Sequence, residues 1–296
     1  MPPVIERQEA RAGRLFLVPA LALFGIFFIL PMLGGLALSF TDFDIYAVGN
    51  PKLVQFVGLR NYVFALHNHD FWRALKNTLY FVVVGGPLSV IVSLLAAILL
   101  NARAVRWRSF FRTVYFAPVV TTLVAVAVVW RYLYHPHYGF VNQFLALFGV
   151  HPIDWLGNPT WSMPAIVLLS VWKNFGYNML IFLAGLQTIP DELYEAADID
   201  GAGAWAKFRH VTFPGLGPVF LFVAVTTMIN QFQLFAEPYV MTQGGPLGAT
   251  RSIVLLMYEE GFRWWRMGMG AAIAFILLII TLLGTLVQLR LQRRTT

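Results

Sequence analysis

Long apolar runs constrain the fold of this chain more than any other feature. A membrane-spanning helix needs roughly 20 predominantly apolar residues, and the sequence contains six runs of that kind. Their approximate bounds are 15–40, 77–100, 113–134, 162–186, 216–236 and 269–289. Charged residues make up 12% of the chain, against about 25% in a typical soluble domain. The sequence therefore predicts an all-α membrane protein with six transmembrane helices.

The net charge and the absence of cysteine limit which partners and metal sites this chain can have. The net charge is +7, but basic residues flanking membrane spans explain it without a nucleic-acid partner. The chain has no cysteine, which excludes disulfides and thiolate metal sites. Two histidine pairs, His67/His69 and His135/His137, have no accompanying carboxylate cluster. We therefore expect neither nucleic-acid binding nor a metal site.

Basic residues in the short loops predict the orientation of the spans. One side carries 12 of them and the other carries 8. The richer side has Arg7, Arg11, Arg14, Arg103, Arg106, Arg108, Arg112, Lys207, Arg209, Arg290, Arg293 and Arg294. Both termini are thus predicted to be cytoplasmic, and six spans require the two ends to agree. We expect one transmembrane domain over 1–296, with cytoplasmic segments at 1–14, 190–214 and 290–296.

A polar segment, 190–214, separates the fourth and fifth apolar runs. Pro190 suits the first helical position, because its missing N–H would be unpaired there anyway. Asp191 and Glu192 then lie in the first turn, where the helix dipole favours anions. Gly201-Ala-Gly203 breaks the helix and allows a positive φ.

A second short helix is predicted from Ala204 to Val211. Its aromatic residues, Trp205 and Phe208, suggest burial against another surface, and Pro214 is expected to end it. The segment is thus predicted to be a helix–turn–helix elbow in water. The alternative is a solvated connector, which rarely combines a start signal, a glycine break, aromatics and a proline stop.

The elbow resembles the cytoplasmic loop of permease subunits of bacterial binding-protein-dependent ABC importers. The pattern is Glu195-Ala196-Ala197, then Gly201, then Val211-x-Phe213-Pro214 in place of the usual Ile-x-Leu-Pro ending. The resemblance implies a type I ABC-importer permease fold in which this elbow docks in a cleft of an ATPase subunit. It gives Glu195 an anchoring role, the alanines close packing and Gly201 the turn. The implied coupling residues are Glu195, Ala196, Ala197, Asp200, Gly201, Phe213 and Pro214.

Motifs elsewhere in the chain are similar to the carbohydrate-uptake branch of that family. They are GLRNY (58–62), FWRALKNTLYF (71–81), LAGLQTIPDELYEAADIDGA (183–202), YVMTQGGPLGAT (239–250) and MYEEGF (257–262). Their order and spacing imply a sugar importer. Glycerol phosphate is an alternative substrate within the same branch, although a phosphorylated solute would favour a more basic site.

The chain lacks an energy source of its own. None of its four lysines lies in a phosphate-binding Gly-x4-Gly-Lys-Ser/Thr loop, and we find no nucleophile–base pair. The resemblance implies that two ATPase subunits bind ATP and Mg, that a second permease completes a heterodimer, and that an external solute-binding protein delivers the sugar. This chain would bind no cofactor and would sit in the bacterial inner membrane, alternating between outward and inward access.

Polar residues inside the fifth span are candidates for the transport pathway, because polar groups in lipid usually face a bundle interior or a wet cavity. Thr226, Asn230, Gln233 and Glu237 have offsets of 0, 4, 7 and 11 and would share one helical face. Neutral amides and hydroxyls suit sugar hydroxyls, since both can donate and accept hydrogen bonds. Interhelical hydrogen bonding is the alternative role. Glu237, at the span end, is expected to be solvated.

The fourth span adds Tyr177 and Asn178 to the candidate pathway. For the polar side chains of this span, interhelical hydrogen bonding is favoured over a role in the pathway. Lys173 is a mid-span charge and is expected to have a carboxylate or carbonyl partner.

Two other function classes are alternatives to an importer subunit. An ion-gradient-driven secondary transporter would show internal repeats and mid-span carboxylates, and we find neither. A membrane enzyme would need a catalytic cluster, and the available acids, at 191–200, are better explained as residues of the elbow.

Overall fold

The computed structural model describes residues 16–102 and 105–292, so Arg103 and the predicted tail at 1–14 lie outside it, as do Arg293 and Arg294. Within the described residues, five helices are long and apolar enough to cross a membrane. They are Phe16–Ser39, His69–Asn101, Pro159–Leu186, Gly217–Met241 and Met267–Arg290. The prediction of an all-α membrane protein is confirmed.

The helices are numbered in chain order. They are α1 (Phe16–Ser39), α2 (Arg60–His67), α3 (His69–Asn101), α4 (Arg108–Val120), α5 (Leu123–Leu133), α6 (Phe140–Ala146), α7 (Pro159–Leu186), α8 (Asp191–Ile199), α9 (Ala204–Lys207), α10 (Gly217–Phe232), α11 (Ala236–Met241), α12 (Ile253–Tyr258) and α13 (Met267–Gln292).

The third predicted span is a broken pair of helices rather than one straight helix. α4 and α5 bend by 99° relative to each other, so the span predicted at about 113–134 contains a break. Pro118 removes a backbone donor near the end of α4, and the Thr121 hydroxyl donates to its carbonyl oxygen at 2.6 Å. Thr122 is extended, with ψ of 136°. Six spans result if this pair counts as one.

The chain forms two units. One contains 16–67 and 257–276, and side-chain hydrogen bonds to backbone carbonyl oxygens fix the loop after α1. The Asn61 amide donates to the carbonyl oxygens of Ser39 and Thr41, at 2.9 and 2.8 Å. A Cβ at Gly268 would overlap the Thr41 carbonyl oxygen, so glycine is required for this close approach.

The other unit contains 68–256, apart from the two undescribed positions, and 277–292. Its core lies between α3, α4, α7 and α10. Small residues let the helices approach closely, as is common in membrane proteins. A Cβ at Gly176 of α7 would overlap the Tyr115 carbonyl oxygen of α4, and one at Gly185 would lie 2.8 Å from the Val219 side chain. This unit carries both candidate sites described below.

Candidate functional site: a polar cavity and an exposed elbow

A cavity of about 430 Å³ lies within the second unit, bordered by α3, α4, α5, α7, α10 and α11. Neutral polar side chains dominate its polar lining. The amides are Asn174, Asn178, Asn230, Gln231 and Gln233. The hydroxyls are Ser89, Ser170, Tyr177 and Thr227. The volume falls in the range of roughly 300–1,000 Å³ typical of small-molecule sites.

A break in the fifth span forms one wall of this cavity. α10 ends at Phe232, Gln233 caps it, and α11 begins at Ala236. Backbone groups at such a break need other partners, and the Ser252 hydroxyl donates to the Leu234 carbonyl oxygen at 2.5 Å. The prediction of one continuous helical face from Thr226 to Glu237 is therefore wrong.

Four of the five predicted pathway residues line the cavity: Asn230, Gln233, Tyr177 and Asn178. Thr226 does not, because its hydroxyl is turned back onto its own helix and donates to the Phe222 carbonyl oxygen at 2.8 Å. The neighbouring Thr227 lines the cavity instead. A role in transport for any of these residues stays a prediction.

The Asn178 amide donates to the Thr227 hydroxyl at 3.0 Å, and both residues are buried. This is an interhelical hydrogen bond between α7 and α10, which fits the structural role considered for the fourth span. Asn230 and Gln233 are exposed within the chain. Asn178 and Thr227 therefore hold two helices together, whereas Asn230 and Gln233 present their amides to open space.

Two buried charged residues, Lys173 and Glu237, adjoin the same wall. The Lys173 ammonium donates to the carbonyl oxygens of Pro118 and Val119, at 3.2 and 3.4 Å, which confirms the expected carbonyl partner. It also interacts electrostatically with Glu237. Glu237 is buried and lines the cavity, so the expectation that it is solvated is wrong.

Gln231 presents an acceptor that has no hydrogen-bond partner among the described residues. Its Oε1 atom is buried, and the residue lines the cavity. A Cβ at Gly85 of α3 would lie 3.0 Å from this atom, so glycine leaves space beside it. An unpaired buried acceptor is costly, and a ligand or water donor in the cavity would satisfy it.

The elbow begins with α8. Pro190 is the N-cap of this helix rather than its first helical residue, so α8 begins one residue later than predicted. Gly201 has a φ of +70°, as expected for the break. Its N–H donates to the Asp198 carbonyl oxygen at 3.0 Å, and the Ala202 N–H donates to the Ala197 carbonyl oxygen at 2.9 Å. This pair of bonds is a Schellman motif, which ends helices through a left-handed residue.

The second half of the elbow differs from the prediction. α9 runs from Ala204 to Lys207 and continues as a π-helical turn, Phe208–Thr212, into Phe213–Gly215. Pro214 does not end the helix. The wide turn pairs the Phe213 N–H with the Phe208 carbonyl oxygen, a geometry that π-bulges introduce into helices and that accommodates a proline lacking its own N–H.

Two contacts join the halves of the elbow. The Tyr194 and Thr212 hydroxyls are hydrogen-bonded at 3.0 Å, and Lys207 forms an ion pair with Asp198. The exposed surface carries apolar and aromatic side chains among charged ones, and the Trp205 side chain, 71% exposed, stacks on Phe208. Of the two aromatics predicted to be buried, Trp205 is therefore open within this chain, whereas Phe208 is half-buried and packs against the core.

The predicted coupling residues are also accessible. Glu195, Ala196, Asp200, Gly201, Phe213 and Pro214 are exposed and Ala197 is half-buried. Within the described residues, no group of three or more His, Cys, Asp or Glu side chains could hold a metal ion.

A model of the family described as "Binding-protein-dependent transport system inner membrane component" matches residues 62–296. The chain belongs to this family. The permease is 38% identical over 289 residues to the arabinooligosaccharides transport system permease protein AraP of Bacillus subtilis, covering 96% of this chain and 90% of the relative.

Two further permeases are similar to this chain over nearly their whole lengths. The lactose transport system permease protein LacF of Rhizobium radiobacter is 35% identical, with 96% of this chain and 95% of the relative covered. The trehalose/maltose transport system permease protein MalF of Thermococcus litoralis is 36% identical, with 98% and 96% covered.

The permease fold is also found in a solved structure of a bacterial ABC transporter involved in the import of the acidic polysaccharide alginate. The TM-score is 0.80 at 23% identity, with 99% of this chain and 100% of that chain covered. A second structure of a bacterial alginate ABC transporter, in complex with an alginate pentasaccharide-bound periplasmic protein, gives 0.81 at 22%, with 98% and 97% covered. The type I permease fold implied by the resemblance is thus supported along the chain.

Proposed function

We propose that this chain is a pore subunit of an ATP-driven sugar importer. The sugar is delivered by an external solute-binding protein and crosses the inner membrane by alternating access. The observation that carries the proposal is the cavity of about 430 Å³ lined by neutral amides and hydroxyls between the membrane helices. Membership of a binding-protein-dependent family argues against the ion-gradient-driven and enzymatic alternatives.

The chemistry of the cavity favours a neutral sugar. Amides and hydroxyls can donate to and accept from sugar hydroxyls, and the buried Gln231 Oε1 offers an acceptor to one of them. Lys173 is already engaged by two carbonyl oxygens and by Glu237, so it does not supply an uncompensated positive charge for a phosphate. Curated relatives named for lactose, trehalose/maltose and arabinooligosaccharide transport agree with this class.

The elbow provides the proposed contact with the energy source. Its exposed residues include Glu195 and Ala196 of the motif as well as Trp205 and Phe213, and exposed apolar side chains of this kind suit a protein interface. Two ATPase subunits bind ATP and Mg, and this chain binds no cofactor. Closure of the ATPase pair reaches the cavity through the elbow and α10.

The remaining assignments follow from the same assembly. A second homologous permease pairs with this chain as a heterodimer. The chain forms one transmembrane domain in a bacterial cytoplasmic membrane. Both termini and segment 190–214 face the cytoplasm, and the elbow therefore lies on the ATPase side.

Co-purification tests the assembly. The tagged chain is extracted from its native membrane in mild detergent, and the co-purifying proteins are identified by mass spectrometry. We expect an ATPase and a second permease with the wild type, and a weakened ATPase with Glu195→Lys. Glu192→Lys is the matched control, because it reverses another exposed charge of α8 outside the motif. Recovery of the wild-type chain alone and intact would refute the proposal.

A further inference from the structure

Two further cavities lie near the C-terminal ends of α5 and α11. The first, of about 300 Å³, is lined by Val128, Arg131, Tyr132, His135 and Tyr138. The second, of about 440 Å³, shares Arg131 and His135 with the first. The two cavities therefore border the same two side chains, and we call them together the outer cavity.

Two short helices connect the outer cavity with the central one. Leu123 at the start of α5 and Ala236 at the start of α11 line the central cavity. Arg131 near the end of α5 and Met241 at the end of α11 line the outer cavity. At 1.5 Å per residue, the eight residues from Leu123 to Arg131 span about 12 Å. The outer cavity thus lies about two helical turns from the central one along the same pair of helices.

The first part of the outer cavity is lined by one side of α5 and by the turn that follows it. Val128, Arg131 and Tyr132 have the i, i+3, i+4 spacing of a helical face, and His135 lies two residues beyond the end of α5. Tyr138 stacks against His135, with ring centroids 3.4 Å apart. The wall therefore offers two phenol rings, an imidazole and a guanidinium at one place.

His135 and Arg131 can donate hydrogen bonds into the outer cavity. The His137 N–H donates to Nδ1 of His135 at 3.2 Å, which leaves Nε2 of this ring available for another hydrogen bond. A guanidinium has five donors, and Arg131 directs one of them at the Val240 carbonyl oxygen, at 3.5 Å. Asp154 lines the second part of the cavity and adds an acceptor that balances the charge of Arg131.

We propose that the outer cavity is a saccharide subsite, occupied before the sugar reaches the central cavity. Aromatic rings offer faces to the apolar side of a sugar ring, and phenols also hydrogen-bond. Arg131 and His135 donate to hydroxyl oxygens, and Asp154 accepts from a hydroxyl. The near-balanced charge suits a neutral saccharide rather than a phosphorylated one. This inference rests on the proposed function and extends it to a second place along the path.

Thiol protection tests the subsite directly, because the chain has no cysteine of its own. Val128→Cys places a reporter in the cavity without removing a polar side chain. Val129→Cys is the matched control, because Val129 is the next residue and does not line the cavity. Its side chain is 57% exposed, and that of Val128 is 43% exposed. Membranes containing the complete transporter are treated with a small water-soluble thiol reagent. The sugars are lactose, maltose, trehalose or an arabinooligosaccharide, with mannitol as the osmotic control.

A sugar that the wild-type transporter takes up should slow modification of Val128→Cys by the factor 1 + [L]/Kd, which is about elevenfold at ten times the dissociation constant. Val129→Cys should be unaffected. Adding Arg131→Gln removes a charged donor and weakens binding on the order of tenfold, so that protection falls to about twofold at the same concentration.

Three results would overturn the subsite. Val128→Cys could fail to react without sugar, which would mean that the cavity is closed to water. It could react equally with and without a transported sugar, or its protection could survive Arg131→Gln. Asn230→Cys, in the central cavity, separates this failure from that of the proposed function. Protection of Asn230→Cys alone refutes the outer subsite and leaves the importer intact, whereas absence of uptake and of protection for every sugar refutes both.

Discussion

Replacement of Gly201 by valine is expected to uncouple transport by distorting the elbow. The residue has a φ of +70°, and nothing surrounds the position within 4 Å of an added Cβ. Steric clash with neighbours therefore plays no part, and the cost arises in the backbone alone. Two hydrogen bonds of the Schellman motif depend on this left-handed residue, so abandoning the conformation would also break them.

The expected magnitude follows from this geometry. A left-handed conformation costs an L-residue about 1–2 kcal/mol, which reduces the population of the native turn roughly 5- to 30-fold. Valine should be worse than alanine, because β-branched residues are poorly tolerated at positive φ. Asparagine should be mildest, since its side chain allows left-handed conformations. Gly203 has an ordinary φ of −69° and open space around it, so Gly203→Val is the matched control.

The assay is the initial rate of labelled sugar uptake in cells, normalised to the amount of the chain in the membrane. Uptake should fall in the order Asn, Ala, Val at Gly201, with membrane insertion unchanged and with less ATPase co-purifying. Gly203→Val should stay close to wild type. Wild-type uptake by Gly201→Val, or equal losses at the two glycines, would refute the reasoning.

Three further predictions concern the membrane helices. Asn230→Leu should reduce sugar uptake without loss of co-purifying subunits, whereas Thr226→Val, outside the cavity lining, should not; equal uptake by both variants would argue against the cavity. Lys173→Met should destabilise the purified chain by about 1–3 kcal/mol in thermal unfolding, because it removes a charged donor from two carbonyl oxygens and the cation that compensates the buried Glu237. Lys173→Met/Glu237→Gln should recover part of the loss, and an additive double variant would contradict the electrostatic coupling of the two residues. Gly176→Ala should cost about 1–3 kcal/mol by the same measurement, because its Cβ meets the Tyr115 backbone, whereas Gly217→Ala, in open space, should cost less.

The apolar runs predicted the membrane class and most span positions because hydropathy depends on local composition. The predicted runs at 162–186 and 269–289 correspond to helices Pro159–Leu186 and Met267–Arg290. Gly201 was likewise identified locally, because a left-handed helix end strongly favours glycine. These features need no knowledge of distant neighbours.

The helix breaks were not predictable in the same way. The predicted apolar runs at 113–134 and 216–236 extend through Thr121-Thr122 and Gln233–Phe235, although the helices stop there. Pro118 was a local signal for the first break. At the second, a partner from another segment matters: the Ser252 hydroxyl bonds the Leu234 carbonyl oxygen.

The same limitation applies to the candidate site. Helical spacing placed Thr226 with Asn230, but it could not show that the Thr226 hydroxyl bonds its own helix. Burial of Glu237 depends on tertiary packing near Lys173, which lies far away in the sequence. The outer cavity was missed because Arg131 and His135 meet Asp154 and Thr242 only after the loops fold together.

Uptake by a reconstituted transporter tests the central claim most directly. Proteoliposomes containing the co-purified complex are loaded with ATP and Mg and supplied outside with the solute-binding protein and labelled sugar. The account predicts accumulation inside that requires both ATP and the binding protein and is reduced by Asn230→Leu. Accumulation driven by an ion gradient without ATP, or no accumulation of any sugar by a complex that hydrolyses ATP, would contradict it.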